Sequence, residues 1–196
     1  MNDGVKKIMP QSPHELDLVI DFVNTLDIEV GTDELVGDGL HQWFEARRLL
    51  PARARKLDEH DRRRAIDLRE ALRALMLANN GGAPDRRAGE VLERTAREGE
   101  LSVHFAPDGA ASLDAGSKGF AGSLARLLVP VASAGRDGTW TRVKACRAAD
   151  CRWAFYDRSR NRSGVWCEMA VCGNRTKVRT YRERAPRRRP ADRRGS

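Results

Sequence analysis

The four cysteines of this 196-residue chain lie in one C-terminal stretch, Cys146, Cys151, Cys167 and Cys172, spaced C-x4-C-x15-C-x4-C. A tetrahedral Zn2+ ion needs four soft ligands, and two close pairs can each supply two thiolates from one tight turn. Disulfides and a redox dithiol are the competing uses of such pairs. Met1 to Lys7 has no apolar leader-like run and no stretch of about 18 apolar residues follows, so a reducing, cytoplasmic setting is expected, where paired cysteines serve metals more often than bridges. The C-x-x-C spacing of redox dithiols is absent. The reading is therefore one Zn2+. Four thiolates leave it no open coordination position, so its role is structural and other residues do the work.

Those residues are basic. From Arg136 to Ser196 there are 16 Arg and 2 Lys against 4 Asp and 2 Glu, a local charge of +12 in a chain of +8, so residues 1–135 carry −4. Positive charge confined to the cysteine segment favours a polyanionic partner, with a merely solvated face as the bland alternative. Arg158, Arg160 and Arg162 alternate with Ser159, Asn161 and Ser163, and an extended backbone would project all three guanidiniums to one side. Arg175, Arg179 and Arg182 fall at i, i+4 and i+7, a basic ridge suited to a phosphate backbone, with Lys177 beside it. Asn174 and Arg175 stand at the start of that ridge, where helix-borne readers approach base edges. For Asn174 a second reading stays open, a hydrogen bond to backbone around the zinc knuckle. Trp140, Trp153, Phe155, Tyr156 and Trp166 could stack on unpaired bases, but a module this small needs such bulk for its core, and the core reading is preferred.

The rest of the chain offers little chemistry. His14, His41, His60 and His104 have no metal spacing, and there is no Walker loop, dinucleotide glycine pattern or G-x-S-x-G elbow, so no enzyme activity is expected. Asn24 is the one candidate ligand-binding residue. The competing reading is an asparagine that satisfies backbone groups of a neighbouring loop.

The elements that must position these groups are mainly helical. Ser12-Pro13-His14-Glu15 reads as a capping box opening a helix through Leu16, Val19, Ile20, Val23 and Leu26. A short helix is expected from Leu40 to Leu50. The clearest carries Ala65, Leu68, Leu72, Leu75 and Met76 on its apolar face, with Arg62, Arg63, Glu70 and Arg73 on the others, and ends at Gly81-Gly82. A fourth begins near Pro84. Leu101, Val103 and Phe105 alternate with polar residues before Pro107-Asp108-Gly109, which predicts a hairpin returning through Ala111 to Leu113. A fifth helix runs from Phe120 to Val131, kinked or ended by Pro130. Gly135 to Gly138 reads as a linker, dividing a helical domain at 1–135 from a zinc module at 136–185, with a basic, disordered tail at 186–196. Within the module, Trp140 to Lys144 predicts a short strand. Trp153 to Tyr156 and Val165-Trp166 predict the two arms of a hairpin flanked by the cysteine pairs. Met169 to Ala185 predicts a helix with Asn174, Val178, Tyr181 and Ala185 on one stripe. The expected fold is mainly α with small β-hairpins: a helical domain plus a treble-clef-like or zinc-ribbon-like four-cysteine module.

Cys167-Glu168-Met169-Ala170-Val171-Cys172-Gly173-Asn174-Arg175, preceded by Phe155-Tyr156-Asp157-Arg158-Ser159-Arg160-Asn161-Arg162 and followed by Lys177, resembles the CGNR zinc finger. Phe22-Val23-Asn24-Thr25-Leu26-Asp27, within Leu18 to Asp27, resembles the opening of the ABATE domain of stress-induced bacterial transcription regulators. The resemblance implies a bacterial, cytoplasmic regulator with a sensor-like helical N-terminal domain and a zinc module that binds DNA. It matches all four cysteine ligands and Gly173, Asn174 and Arg175. Beyond the resemblance, the N-terminal domain is expected to sense a small-molecule effector or form a homodimer, and the lack of long apolar runs predicts no membrane association. Two alternatives stand beside duplex DNA: an RNA-binding or ribosome-associated zinc protein, and a ligand-binding or enzymatic N-terminal domain with the finger as a protein-interaction appendage.

Overall fold

The computed structural model describes residues 14–50 and 53–184. The start of the predicted capping box at Ser12-Pro13, Ala185 and the basic tail lie outside them. The elements in order are α1 (His14–Val23), β1 (Leu26–Asp27), β2 (Thr32–Asp33), α2 (Gly39–Ala46), α3 (Glu59–Asn79), α4 (Arg86–Glu98), β3 (Leu101–Phe105), β4 (Ala111–Ala115), α5 (Phe120–Arg126) and α6 (Leu128–Asp137). A 3-10 turn (Trp140–Arg142), β5 (Val143–Ala145), β6 (Ala154–Tyr156), a π turn (Met169–Gly173) and α7 (Asn174–Arg184) follow, completing the described residues. Each of the three sheets is an antiparallel pair. The architecture is helical with small hairpins, as the sequence predicts.

The long helix α3 is the organising element, packed against α1, α4, α5 and β5. Asp58 opens it with a capping box, its side chain accepting from the Asp61 N–H at 3.0 Å while Asp61 accepts from the Asp58 N–H at 3.0 Å. The predicted apolar stripe is buried through Ala65, Leu68, Leu72 and Met76, and it meets an aromatic cluster of Phe22, Trp43, Phe44 and Phe120. The fifth helix is two. Pro130 has no N–H for the Arg126 carbonyl four residues back and its ring crowds that group, so α5 ends at Arg126 and α6 starts at Leu128.

Arg73, expected on a polar face, is instead buried with Arg69. Arg69 forks onto both Asp33 oxygens at 2.7 and 3.0 Å and donates to Thr25 Oγ1 at 3.1 Å. Arg73 donates to the Val23 carbonyl at 2.5 Å and pairs with Glu70. Arg73 satisfies backbone carbonyls left open where α1 ends, and Arg69, through Thr25 and Asp33, ties down β1 and β2, two short strands that the sequence pattern does not announce.

Gly135 to Gly138, expected as a linker, forms the last turn of α6 and its cap, with Gly138 left-handed at φ +79°. Beyond it the chain stays in the same core: Val143, Ala145 and Ala154 of the zinc module are fully buried in one cluster with the side chains of α1 and α3. Polar groups reinforce the joint. At the end of α3, Asn79 Nδ2 donates to the Trp140 and Val143 carbonyls at 2.8 and 2.9 Å, and Asn80 Nδ2 donates to those of Ala145 and Val165, both at 2.8 Å. Gly81 keeps the next position clear, because a Cβ there would fall 2.1 Å from the Arg147 guanidinium. Asn80→Ala would strand two carbonyls. We expect a loss of about 2–4 kcal/mol, read by thermal unfolding as a fall in Tm of roughly 10 °C.

Candidate metal centre and nucleic-acid interface

The first cysteine pair belongs to a β-hairpin. β5 and β6 pair in the register Val143↔Tyr156 and Ala145↔Ala154, so the Cys146 to Cys151 loop is the hairpin's own turn, closed by the Cys151 and Arg152 N–H groups on the Ala148 carbonyl. This corrects the sequence expectation that Trp153 to Tyr156 would pair with Val165-Trp166. The strand partner lies on the other side of the knuckle, and Val165 instead gives its carbonyl to Asn80 and Arg147. Of the second pair, Cys167 lies just before the π turn that leads into α7 and Cys172 lies within it, where its N–H reaches the Glu168 carbonyl at 3.0 Å. Hairpin tip and helix start thus close on each other in a treble-clef-like plan.

The four Sγ atoms all lie within 4.8 Å of one another, with Cys151 to Cys167 at 3.6 Å and Cys167 to Cys172 at 3.7 Å. A ZnS4 tetrahedron with Zn–S of about 2.3 Å has edges of about 3.8 Å, so the sulfurs stand at zinc spacing. Thiol hydrogen bonds from Cys151 and Cys167 hold Cys146 down to about 2 as a thiolate, and accepting that role pushes Cys151 up to about 12 and Cys167 up as well. Four thiolates this close are stable together only around a dication. The cysteines form a zinc site for one structural ion. Gly173 is required beside it, because a Cβ would meet Met169 Sδ at 2.4 Å and Trp166 Cδ1 at 3.1 Å.

The x15 spacer is organised by a buried ion pair. Lys144, 4% exposed, donates from Nζ to Asp157 Oδ2 at 2.7 Å and to the carbonyls of Arg162 and Gly164 at 2.6 and 3.0 Å. Asp157 accepts in turn from the N–H groups of Ser159 and Gly164 at 2.9 and 2.8 Å. Burial alone would raise the Asp157 pKa, but Lys144 and the Ser159 and Gly164 donors outweigh it and hold the carboxyl at about 2. A depressed folded value stabilises the fold above the ordinary carboxylate range and is lost as pH falls toward about 2. In urea unfolding, the stability gap between wild type and Asp157→Asn should therefore narrow as pH drops below about 4, by about 2 kcal/mol in all.

This organisation changes the three loop arginines. The segment is not extended: Ser159 to Arg162 forms a tight turn with Arg162 at φ +52°, which breaks the alternation expected to aim all three one way. Arg158, Arg160 and Arg162 are all exposed, and Arg162 is also anchored through its carbonyl to Lys144 and through its guanidinium to Thr141 Oγ1 at 3.1 Å.

On α7, Arg175, Arg179 and Arg182 do form one ridge, lining an open groove of about 560 Å³ together with Val178. Lys177, Arg179 and Arg182 are exposed, and so are Val178 and Tyr181 of the predicted stripe. Arg175 differs from its neighbours. It forks onto Glu29 of the β1–β2 turn at 2.9 and 3.4 Å, lies 3.5 Å from Asp150 and reaches Cys172 Sγ at 3.6 Å. Asn174 follows its second reading, donating to the Ala170 carbonyl at 3.0 Å within the knuckle. Asn24 also follows its second reading. Its amide accepts from the Ala154 N–H at 2.7 Å and donates to the Ala154 carbonyl at 3.0 Å, completing the free edge of β6. Asn79, Asn80 and Lys144 are the structural residues that sequence reasoning passed over; paired asparagines at the end of an apolar helix were the available signal. Trp140 and Tyr156 pack on the main core, and Trp153 and Trp166 pack around the cysteines, in keeping with the core reading of the aromatics.

A helical domain sharing its core with a closed, four-thiolate zinc finger is the class of protein these features define. Compared with models of known families, residues 142–185 match the CGNR zinc finger and residues 16–149 match ABATE, described as "Putative stress-induced transcription regulator". The chain belongs to the ABATE family. No curated protein matches it. Among the described residues no helix is long and apolar enough to cross a membrane.

Proposed function

We propose that this protein is a cytoplasmic, non-enzymatic transcription regulator that binds duplex DNA through its zinc-held finger, with α7 as the principal contact. The observation that carries this reading is the exposed basic ridge of α7 standing on a zinc-fixed base. Eleven residues make a helix about 16 Å long and, with side chains, 10–12 Å wide, which suits a major groove about 12 Å across. Lys177, Arg179 and Arg182 supply phosphate contacts, and Arg158 and Arg160 supply further ones from the spacer loop. Zinc has no part in contact; it fixes α7 to the hairpin and so to the N-terminal core. The N-terminal domain acts on the finger through the shared core, as an effector sensor or a dimerisation surface. RNA is the less favoured partner, because Trp140, Trp153, Phe155, Tyr156 and Trp166 pack in or against the core, which among the described residues of the finger leaves Tyr181 as the exposed aromatic. The test is competition at low salt between a labelled duplex and RNA of the same sequence for zinc-loaded protein. Preference for duplex supports the reading, and preference for RNA overturns it.

A further inference from the structure

The Arg175 guanidinium presents its outer fork to a carboxylate of the N-terminal domain, while its neighbours on the ridge are free to meet an external anion. We infer that Glu29 is a built-in competitor for a phosphate site formed by Arg175, Arg179 and Arg182, so that DNA must displace it to engage the whole ridge.

This inference rests on the DNA-binding reading and adds a regulatory contact to it. The two guanidinium nitrogens that bond Glu29 are the pair that would clasp a phosphate, and one edge cannot serve both anions at once. Arg175 has contacts besides Glu29: its Nε lies within ion-pair distance of Asp150 at 3.5 Å, and the same terminal nitrogen that meets Glu29 at 3.4 Å also reaches Cys172 Sγ at 3.6 Å. Glu29 itself is held by its backbone. Asp27 Oδ1 accepts from the N–H groups of Glu29 and Val30 at 2.9 and 3.1 Å, and Gly31, at φ +77°, closes the turn with its N–H on the Asp27 carbonyl at 2.8 Å. The strand after the turn is pinned to α3 by the Arg69 to Asp33 fork. A physical path therefore runs from the central helix through β2 and the turn to the DNA-facing helix. The latch is also weak enough to open: both partners are about one-third exposed, and such pairs hold by no more than about fivefold in equilibrium terms. By linkage, whatever moves the β1–β2 turn changes DNA affinity, and DNA changes the turn by the same factor.

The experiment uses full-length, zinc-loaded protein and a labelled random-sequence duplex at low salt, comparing wild type, Glu29→Gln, Glu93→Gln and the Glu29→Gln/Arg175→Gln double variant. Glu93 is an exposed carboxylate on α4, so its replacement makes the same change in net charge elsewhere on the surface. We expect Glu29→Gln to bind about two- to fivefold tighter than wild type. Glu93→Gln should stay close to wild type, and the double variant should lose the gain. Equal affinities for Glu29→Gln and Glu93→Gln would overturn the latch while leaving DNA binding intact. If no variant, wild type included, had any affinity for the duplex, the DNA-binding reading itself would fall and the latch with it.

Discussion

Chelating the zinc, or replacing Cys151 with Ser, is expected to unfold the finger and to destabilise the N-terminal domain in the same transition. Zinc binding supplies about 10–16 kcal/mol of folding free energy in isolated fingers, as much as the whole stability of an ordinary domain. Without the ion the four sulfurs, within 4.8 Å of one another, lose the charge that holds them together. The hairpin tip and the π turn then separate. The loss cannot stay local, because Val143, Ala145 and Ala154 are part of the main core and Asn24, Asn79 and Asn80 bond to the same strands. We expect one cooperative transition, with Tm lowered by more than about 10 °C, given that each kcal/mol is worth roughly 2–4 °C at this size. Helical circular dichroism and tryptophan fluorescence should report it together, since Trp43 lies in the helical core and Trp153 and Trp166 lie beside the cysteines. A helical signal melting at an unchanged temperature after the tryptophan signal had responded to chelation would show two independent domains instead.

The parts of this molecule that could be read in the sequence are those encoded locally. Cysteine spacing names a metal, apolar periodicity places α1 to α4, and Pro107-Asp108-Gly109 marks the β3–β4 turn; each signal lies within a few residues of its effect. What the sequence did not disclose are pairings at long range. Nothing near Asn24 indicates that its partner is Ala154, 130 residues away, and nothing near Arg175 indicates Glu29, 146 residues away. The hairpin was misassigned for a related reason. Trp153 to Tyr156 has strand propensity, but propensity does not choose a partner, and the choice fell to β5 across the cysteine turn. Arg69 and Arg73 look like surface charges in a charged helix, yet both are buried, Arg73 on backbone carbonyls where α1 ends and Arg69 on the Asp33 carboxylate. Arginine in a basic segment is thus ambiguous: Arg179 and Arg182 face solvent, while Arg175, half-buried, ties its helix to Glu29.

That ambiguity gives the second large effect. Replacing Lys177, Arg179 and Arg182 together with Gln should reduce DNA affinity while leaving stability nearly unchanged, because all three are exposed and among the described residues α7 packs mainly on the π turn before it. Each lost phosphate contact removes one released counterion, so the plot of log affinity against log salt should flatten by about 0.9 per contact, roughly 2 to 3 in all. Arg175→Gln acts through a different cause. It breaks contacts with Glu29, Asp150 and Cys172, so its effect on binding should come with a loss of stability. The most direct measurement is the salt dependence of duplex binding by zinc-loaded wild type and by the Lys177, Arg179 and Arg182 triple variant. The account predicts a steep slope for wild type and one shallower by roughly 2 to 3 for the variant, at equal zinc content. Equal slopes for the two proteins, or no duplex affinity in wild type at low salt, would contradict it.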